Sequence, residues 1–268
     1  MTTAGRSGPS ALLWGAALLG VLLTARLGVW QLDRADQKLA LQAQMQQRAS
    51  LAPLLPLAMS DLQRLPSNPE AAAAQHYRRI TLQGRWLAQH TVYLDNRQMN
   101  ARAGFFVITP LLLADGTAVL VQRGWLARDF QDRSHLTAVP TPAGAVQVSG
   151  RLAPPPSKLF ELGAGDSGLI RQNLDLALWA TEIAQPLRPW TVQQTDAALA
   201  VDVGAVPVAV PADGLLRQWP APAVDVGKHH GYAFQWFGLA ALIAGLAVWF
   251  LALGPRLGRR TRQPAITS

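Results

Sequence analysis

The stretch that decides the architecture is Lys228–Ala240, KHHGYAFQWFGLA, where a lysine and two histidines stand directly before an uninterrupted apolar run. From Tyr232 to Leu253 the one strongly polar side chain is Gln235, and there is no charge. At ~1.5 Å per residue this run extends roughly 33 Å as a helix, enough for the hydrocarbon core of a bilayer. Tyr232–Leu253 is therefore expected to span a membrane, with His229 and His230 at its water edge.

A second run lies at the other end, ALLWGAALLGVLLTARLGVWQL over Ala11–Leu32, broken only by Thr24, Arg26 and Gln31. It is long for a signal peptide and no small-x-small cleavage pattern closes it, so an uncleaved anchor is expected. Trp14 and Trp30 fall about 24 Å apart along such a helix, and Tyr232 and Trp249 about 26 Å apart along the other. Aromatic rings then mark both interfaces of both spans. Arg26, one turn before Trp30, is placed to snorkel outward against that ring. Small residues recur at spacing four, Ala16, Gly20, Thr24 and Gly28 in the first span, Ala241 and Gly245 in the second. Such faces permit close helix packing.

Charge sets the orientation. Arg6 precedes the first span and Arg256, Arg259, Arg260 and Arg262 follow the second, with no acid in either tail, whereas residues 33–231 hold 18 basic and 16 acidic side chains. By the positive-inside rule both tails are cytoplasmic and the long middle segment is exported. The net charge of +8 thus reflects topology. It argues against a nucleic-acid partner, because the middle segment has no basic patch interleaved with aromatics. The chain has no cysteine, hence no disulfide and no thiolate for Cu(I) or for attaching c-type haem. A single arginine in the first ten residues does not resemble a transit peptide. The expectation is a multi-pass bacterial inner-membrane protein of class α+β. Its segments are a cytoplasmic tail (1–10), a transmembrane helix (11–32), a periplasmic domain (33–231), a second transmembrane helix (232–253) and a basic cytoplasmic tail (254–268).

Past Trp30 the first helix is expected to continue through QLDRADQKLALQAQMQQRA, which has no proline. SNPEAAAAQ reads as a linker or short helix. Strand patterns follow in HYRRITLQGRWL, TVYLDNR, GFFVITPLLL, AVLVQRGWL and AVQVSGRL, with ADGT as a hairpin turn between the third and fourth. Five strands this close together predict a small antiparallel sheet or barrel. NLDLALWATEIAQ predicts a helix capped by Asn173 with Leu174, Leu178 and Ile183 on one face. RPWTVQQT returns as a strand, and residues 206–226 form an extended, proline-rich lead into the second span.

Enzyme signatures are absent: the chain has no His-Glu-x-x-His, Gly-x-Ser-x-Gly, phosphate loop or dinucleotide fingerprint. His76, His90 and His135 are isolated and read as surface or hydrogen-bonded side chains. No catalytic residue is expected, and the protein is read as a non-enzyme. His229 and His230 differ by their place at a membrane edge. Two readings stand there: an axial ligand for haem, with Tyr232, Phe234, Trp236 and Phe237 offering ring surface, or an interfacial anchor facing headgroups. Adjacent helical positions point about 100° apart, so the pair is not expected to grip one metal together. Arg123, with Gly124 and Trp125, also has two readings: pairing with a haem propionate or acidic partner, or pairing inside the domain beside a bulge.

Three stretches carry a resemblance to the Surfeit locus protein 1 family of cytochrome c oxidase assembly factors. LGVWQLDRADQK is similar to that family's exit from its first span, through Gly28, Trp30, Gln31, Arg34 and Lys38. NRQMNARAGFFVITPLLLADGTAVLVQRGWL is similar through Arg97, Gly104, Phe105, Thr109, Pro110, Arg123, Gly124 and Trp125. The opening stretch resembles the family's Asn-His-x-x-Tyr-Ala-x-x-Trp-Phe, with Lys228 at the asparagine position, His229 at the histidine position and His230 an addition; Gln122 likewise stands where the family has asparagine. The resemblance implies a chaperone-like role in respiratory chain biogenesis, helping haem a into oxidase subunit I or stabilising that subunit. It implies transient haem a as cofactor, with His229 as the metal ligand and His230 as the lesser candidate. The implied partners are subunit I, other oxidase assembly factors and the membrane. The alternative is a membrane-tethered envelope scaffold or receptor unrelated to respiration, and a third reading is an exported enzyme with a site built from distant residues.

Overall fold

The computed structural model of the chain describes residues 11–56, 59–129, 131–132, 136–160, 168–201, 208–209, 212–219 and 226–253. His135, both tails and much of the proline-rich lead lie outside the described residues. The chain divides into two compact units, residues 1–42 with 221–268, and Ala43–Pro220.

The first unit is a helix pair, whose first helix runs on past Gln42 into the second unit. Helix α1, Ala11–Ser50, runs unbroken past the apolar stretch, as its proline-free continuation predicts. Helix α5, Val226–Ala247, continues in π-helical form over Val248–Leu253. Both are long and apolar enough to cross a membrane. Helix α5 starts six residues before the apolar run, so Lys228, His229 and His230 belong to its first turns. On α1 the stripe of small residues is the contact face, with Thr24 and Gly28 buried. On α5 it is not. Ala241 and Gly245 are exposed, and the buried positions are Ala233 and Ala240. The reason is Phe237, which fills the space left by Gly28: a β-carbon there would sit 2.8 Å from its ring. Contact therefore follows 233, 237 and 240, the heptad-like spacing of antiparallel helices. Trp30 is covered by Arg34, 5.8 Å from the ring centre, and not by Arg26. Helical side chains lean toward the N-terminus, so the residue four positions later reaches back over the ring.

Among the described residues, the second unit is built on one nine-stranded sheet. Its strands are β1 Arg79–Trp86, β2 Val92–Met99, β3 Arg102–Leu112, β4 Ala118–Ala127, β5 Ala145–Ala153, β6 Ile170–Arg171, β7 Leu187–Gln194, β8 Leu199–Ala200 and β9 Val208–Ala209. The hairpin at Asp115–Gly116 joins β3 to β4 as expected, with Gly116 at φ 79°. The sheet is mixed, where local patterns suggested an antiparallel sheet or barrel. Strand β7 inserts between β4 and β5, parallel to β4, and β6 runs parallel to β2. Pairing passes β3–β4–β7–β5–β1 and returns from β1 to β3. Turn signals cannot reveal β7's position, because the crossover that delivers it runs through β6 and helix α4, Leu176–Glu182.

Alternation divides the core. Val119 and Val121 of β4 pack with Ile80, Leu82, Val148 and Trp190, while Leu120 between them packs with Leu94, Ile108 and Trp179. Two short helices, α2 Met59–Gln63 and α3 Pro69–Gln75, precede the sheet; Asn68 caps α3 and Pro69 fills its first position. Helix α4 departs from expectation at its cap and its face. Asp175, not Asn173, accepts the N–H groups of Ala177 and Leu178. A carboxylate only accepts, which suits a helix start, whereas the Asn173 amide both accepts from the Leu159 N–H and donates to its carbonyl. Trp179 is the buried anchor, and Leu178 is 74% exposed.

Candidate functional site

The residues that resemblance singled out separate into two environments. In the sheet unit they turn inward. Val107 pairs with Gly124 and Ile108 with Gln122, so Arg123 is the extra residue of a β-bulge. The bulge aims its side chain into the domain, where it is 2% exposed. Its Nη1 donates to Thr141 Oγ1 at 2.6 Å and its Nη2 to the Pro140 carbonyl at 2.8 Å. Asp213 stands 3.8 Å from Nη2 and also binds Arg217. The guanidinium lies 5.0 Å from the centre of the Trp86 ring. Burial presses the Arg123 pKa down, and the Asp213 carboxylate works against that. Of the two readings, the geometry is that of pairing inside the domain.

Its neighbours serve the same end. Trp125 is buried and its Nε1 donates to the Arg97 carbonyl at 2.9 Å. Gly124 is a close approach: a β-carbon there would lie 2.7 Å from Leu215 Cβ and 2.9 Å from the Leu216 carbonyl oxygen. Gly104 is tighter still, with the Leu126 carbonyl oxygen 2.2 Å from any β-carbon. Arg97 donates to the carbonyls of Ser157 and Gln172 at 2.9 and 2.8 Å, tying two later segments to β2. Thr109 meets Thr91 at 3.0 Å, and Gln122 bridges to Thr191 on the neighbouring β7 at 2.8 Å. These residues hold the sheet together. His76 is partly buried, and burial, then Arg48, lowers its pKa; His90 ends a short 3-10 turn, Ala88–His90. Among the described residues no group of three or more His, Asp or Glu side chains is arranged to hold a metal ion.

The helix pair is the other environment. Down its length Gly20 faces Ile243, Gly28 faces Phe237, and Gln31 meets His229. Gln31 Oε1 lies 2.7 Å from His229 Nδ1. An amide oxygen only accepts, so with Oε1 facing it Nδ1 is the donor, and in the tautomer that donates from Nδ1 the lone pair lies on Nε2. His229 is half-buried and His230, one residue on, is exposed. Tyr232 and Phe234, 50% and 80% exposed, present ring surface one turn further along. The geometry brings His229 together with a partner and leaves His230 on the outer surface. Sequence reasoning placed Gln31 in a motif but missed its pairing. The signal was available: Gln31 ends one apolar run and His229 shortly precedes the other, so antiparallel helices bring them to the same level.

One mixed-sheet domain, flanked in sequence by two helices that are long and apolar enough to cross a membrane and that meet through an amide–imidazole contact, defines a class of proteins with a helix pair and a single sheet domain. The chain belongs to the SURF1 family, whose model matches residues 18–241 and so includes all three stretches named above. It is 27% identical to a SURF1-like protein of Monosiga brevicollis over 94% of this chain and 93% of that one. A SURF1-like protein of Rickettsia bellii is 25% identical, over 84% of each chain. The cytochrome oxidase assembly protein SHY1 of Saccharomyces cerevisiae is 28% identical over 40% of this chain and 26% of its own length.

Proposed function

We propose that this chain is a non-catalytic assembly factor for haem-copper cytochrome c oxidase, assisting insertion of haem a into subunit I or stabilising that subunit. Membership of the family and the oxidase-assembly role in the name of the yeast relative support the oxidase part. The haem part rests on one observation, the Gln31–His229 contact at 2.7 Å, which leaves an uncommitted imidazole nitrogen on a helix bearing exposed aromatic rings. The donor set fits haem: an imidazole held through one ring nitrogen, no competing thiolate, and exposed apolar ring surface on the same helix. Haem a, when bound, would supply an iron able to take a nitrogen ligand. His229 would offer Nε2 and Gln31 would hold the ring, with the exposed Tyr232 one turn further along the same helix; His230 is the lesser candidate. Binding is transient, since the cargo passes to subunit I. Other oxidase assembly factors act alongside.

The working place is the bacterial inner membrane, with both termini cytoplasmic and the sheet domain periplasmic, as the arginines and the lack of acids in the two tails imply. Phosphatase fusions near Pro142 should be active and fusions at Ser268 inactive; the reverse pattern overturns the orientation. Deleting the gene should reduce activity of the haem a-containing oxidase while haem a synthesis continues. Disappearance of haem a from the cell would instead put the protein upstream, in haem modification, and refute the assignment.

A further inference from the structure

Gln31 and His229 stand 198 positions apart in sequence and come from different helices, yet their side chains meet at 2.7 Å. The surrounding packing makes that meeting specific. Gly28, one turn before Gln31, has no side chain, and the Phe237 ring, two turns beyond His229, occupies the space beside it. Ala233, one turn after His229, is buried and small. Thr24, a polar residue buried on α1, bonds its hydroxyl back to the Gly20 carbonyl at 2.8 Å and so stays on its own helix. The close approach thus sets the distance at which an amide of glutamine length reaches an imidazole.

We propose that Gln31 is a positioning residue for the His229 imidazole: by accepting the Nδ1 proton it fixes the ring's rotation and tautomer and presents Nε2 as the ligand atom. The proposal rests on the haem reading above. Ligand histidines donate their second ring N–H to a carbonyl or carboxylate, which orients the ring and raises its basicity, and losing such a partner costs about 10- to 100-fold in metal affinity. The competing role for Gln31 is plain interhelical glue, in which the hydrogen bond holds the spans together and nothing more. The two roles differ in what they do to an iron–nitrogen bond.

The full chain, purified in detergent from a haem a-producing host, is compared with Gln31→Leu, which removes the acceptor, Gln31→Glu, which strengthens it, and His229→Ala. Measured quantities are haem a affinity, the iron–histidine stretch in the resonance Raman spectrum and the haem midpoint potential. Gln31→Leu should weaken affinity about 10-fold or more and lower the stretching frequency. Gln31→Glu should retain haem, raise that frequency and lower the potential, because a carboxylate makes the imidazole a stronger donor. Glue predicts otherwise: Gln31→Leu reduces protein yield, but the haem still bound keeps its frequency and potential in both variants, and that result overturns the proposal. Wild-type protein without haem, or His229→Ala with unaltered haem, overturns the haem reading itself and Gln31's role with it.

Discussion

Arg123 on β4 and His229 on α5 are both basic side chains set near tryptophan or tyrosine, and the fold treats them in opposite ways. A bulge turns Arg123 into the sheet unit, where Thr141, Pro140, Asp213 and the Trp86 ring surround it. His229 sits half-buried on a helix surface with one nitrogen engaged by Gln31. A motif residue whose two terminal guanidinium nitrogens are bonded within its own domain stabilises the fold. One engaged through a single ring nitrogen on a helix surface is a candidate to hold a ligand.

Variants can break or sharpen that contrast. The largest stability effect is expected from Arg123→Met, which removes a buried guanidinium and strands the groups around it. The sheet domain should lose about 3 kcal/mol in chemical denaturation, toward the low end for a broken buried pair because Asp213 keeps Arg217. Bound haem in the folded fraction should keep its spectrum. Normal stability with a shifted spectrum would reverse the contrast and make Arg123 a haem contact. Next is Arg97→Met, which frees the Ser157 and Gln172 carbonyls; a loss of about 2 kcal/mol is expected, with faster proteolysis of the segments it ties down.

A smaller effect should appear in acid. Burial works to raise the Asp115 pKa, but hydrogen bonds from Thr117 and the Arg188 guanidinium 2.5 Å away outweigh it, so the carboxyl titrates below its ordinary range. A folded-state pKa below the unfolded one adds stability that is present above the unfolded value and lost as pH falls through the folded one. The sheet domain should therefore weaken below about pH 4, where free carboxylates begin to protonate. Asp115→Asn should flatten that acid limb, measured as melting temperature against pH. An unchanged limb would assign the acid sensitivity to other carboxylates. The smallest effect is expected from His230→Ala: no change in haem content or spectrum. A loss confined to that variant would keep haem binding but move the ligand by one residue.

The parts of the molecule that could be read from sequence are those encoded within a few residues. Alternation at Ile80, Leu82 and Trp86, the turn at Asp115–Gly116 and the proline-free run to Ser50 each produced the element expected of them. What escaped depends on partners far along the chain. Strand β7 is locally an ordinary strand, and only long-range packing puts it parallel to β4. Leu178 and Trp179 are both apolar at helical spacing, and the larger ring took the buried place. Ala241 and Gly245 formed a plausible contact face until Phe237 filled the space beside Gly28. In the candidate site, His229 was legible from its position at the edge of an apolar run. Its orientation was not, because that is set by Gln31 on another helix.

The central claim is that His229 supplies the haem ligand, and the absorption spectrum of His229→Ala tests it most directly. Protein purified from a haem a-producing host should show a shifted Soret band and lower haem a retention than wild type, because an iron–nitrogen bond has been removed. An unaltered spectrum and unaltered occupancy, in His229→Ala and in the double His229→Ala, His230→Ala variant, would contradict the account and leave the histidines as markers of the water edge of the helix.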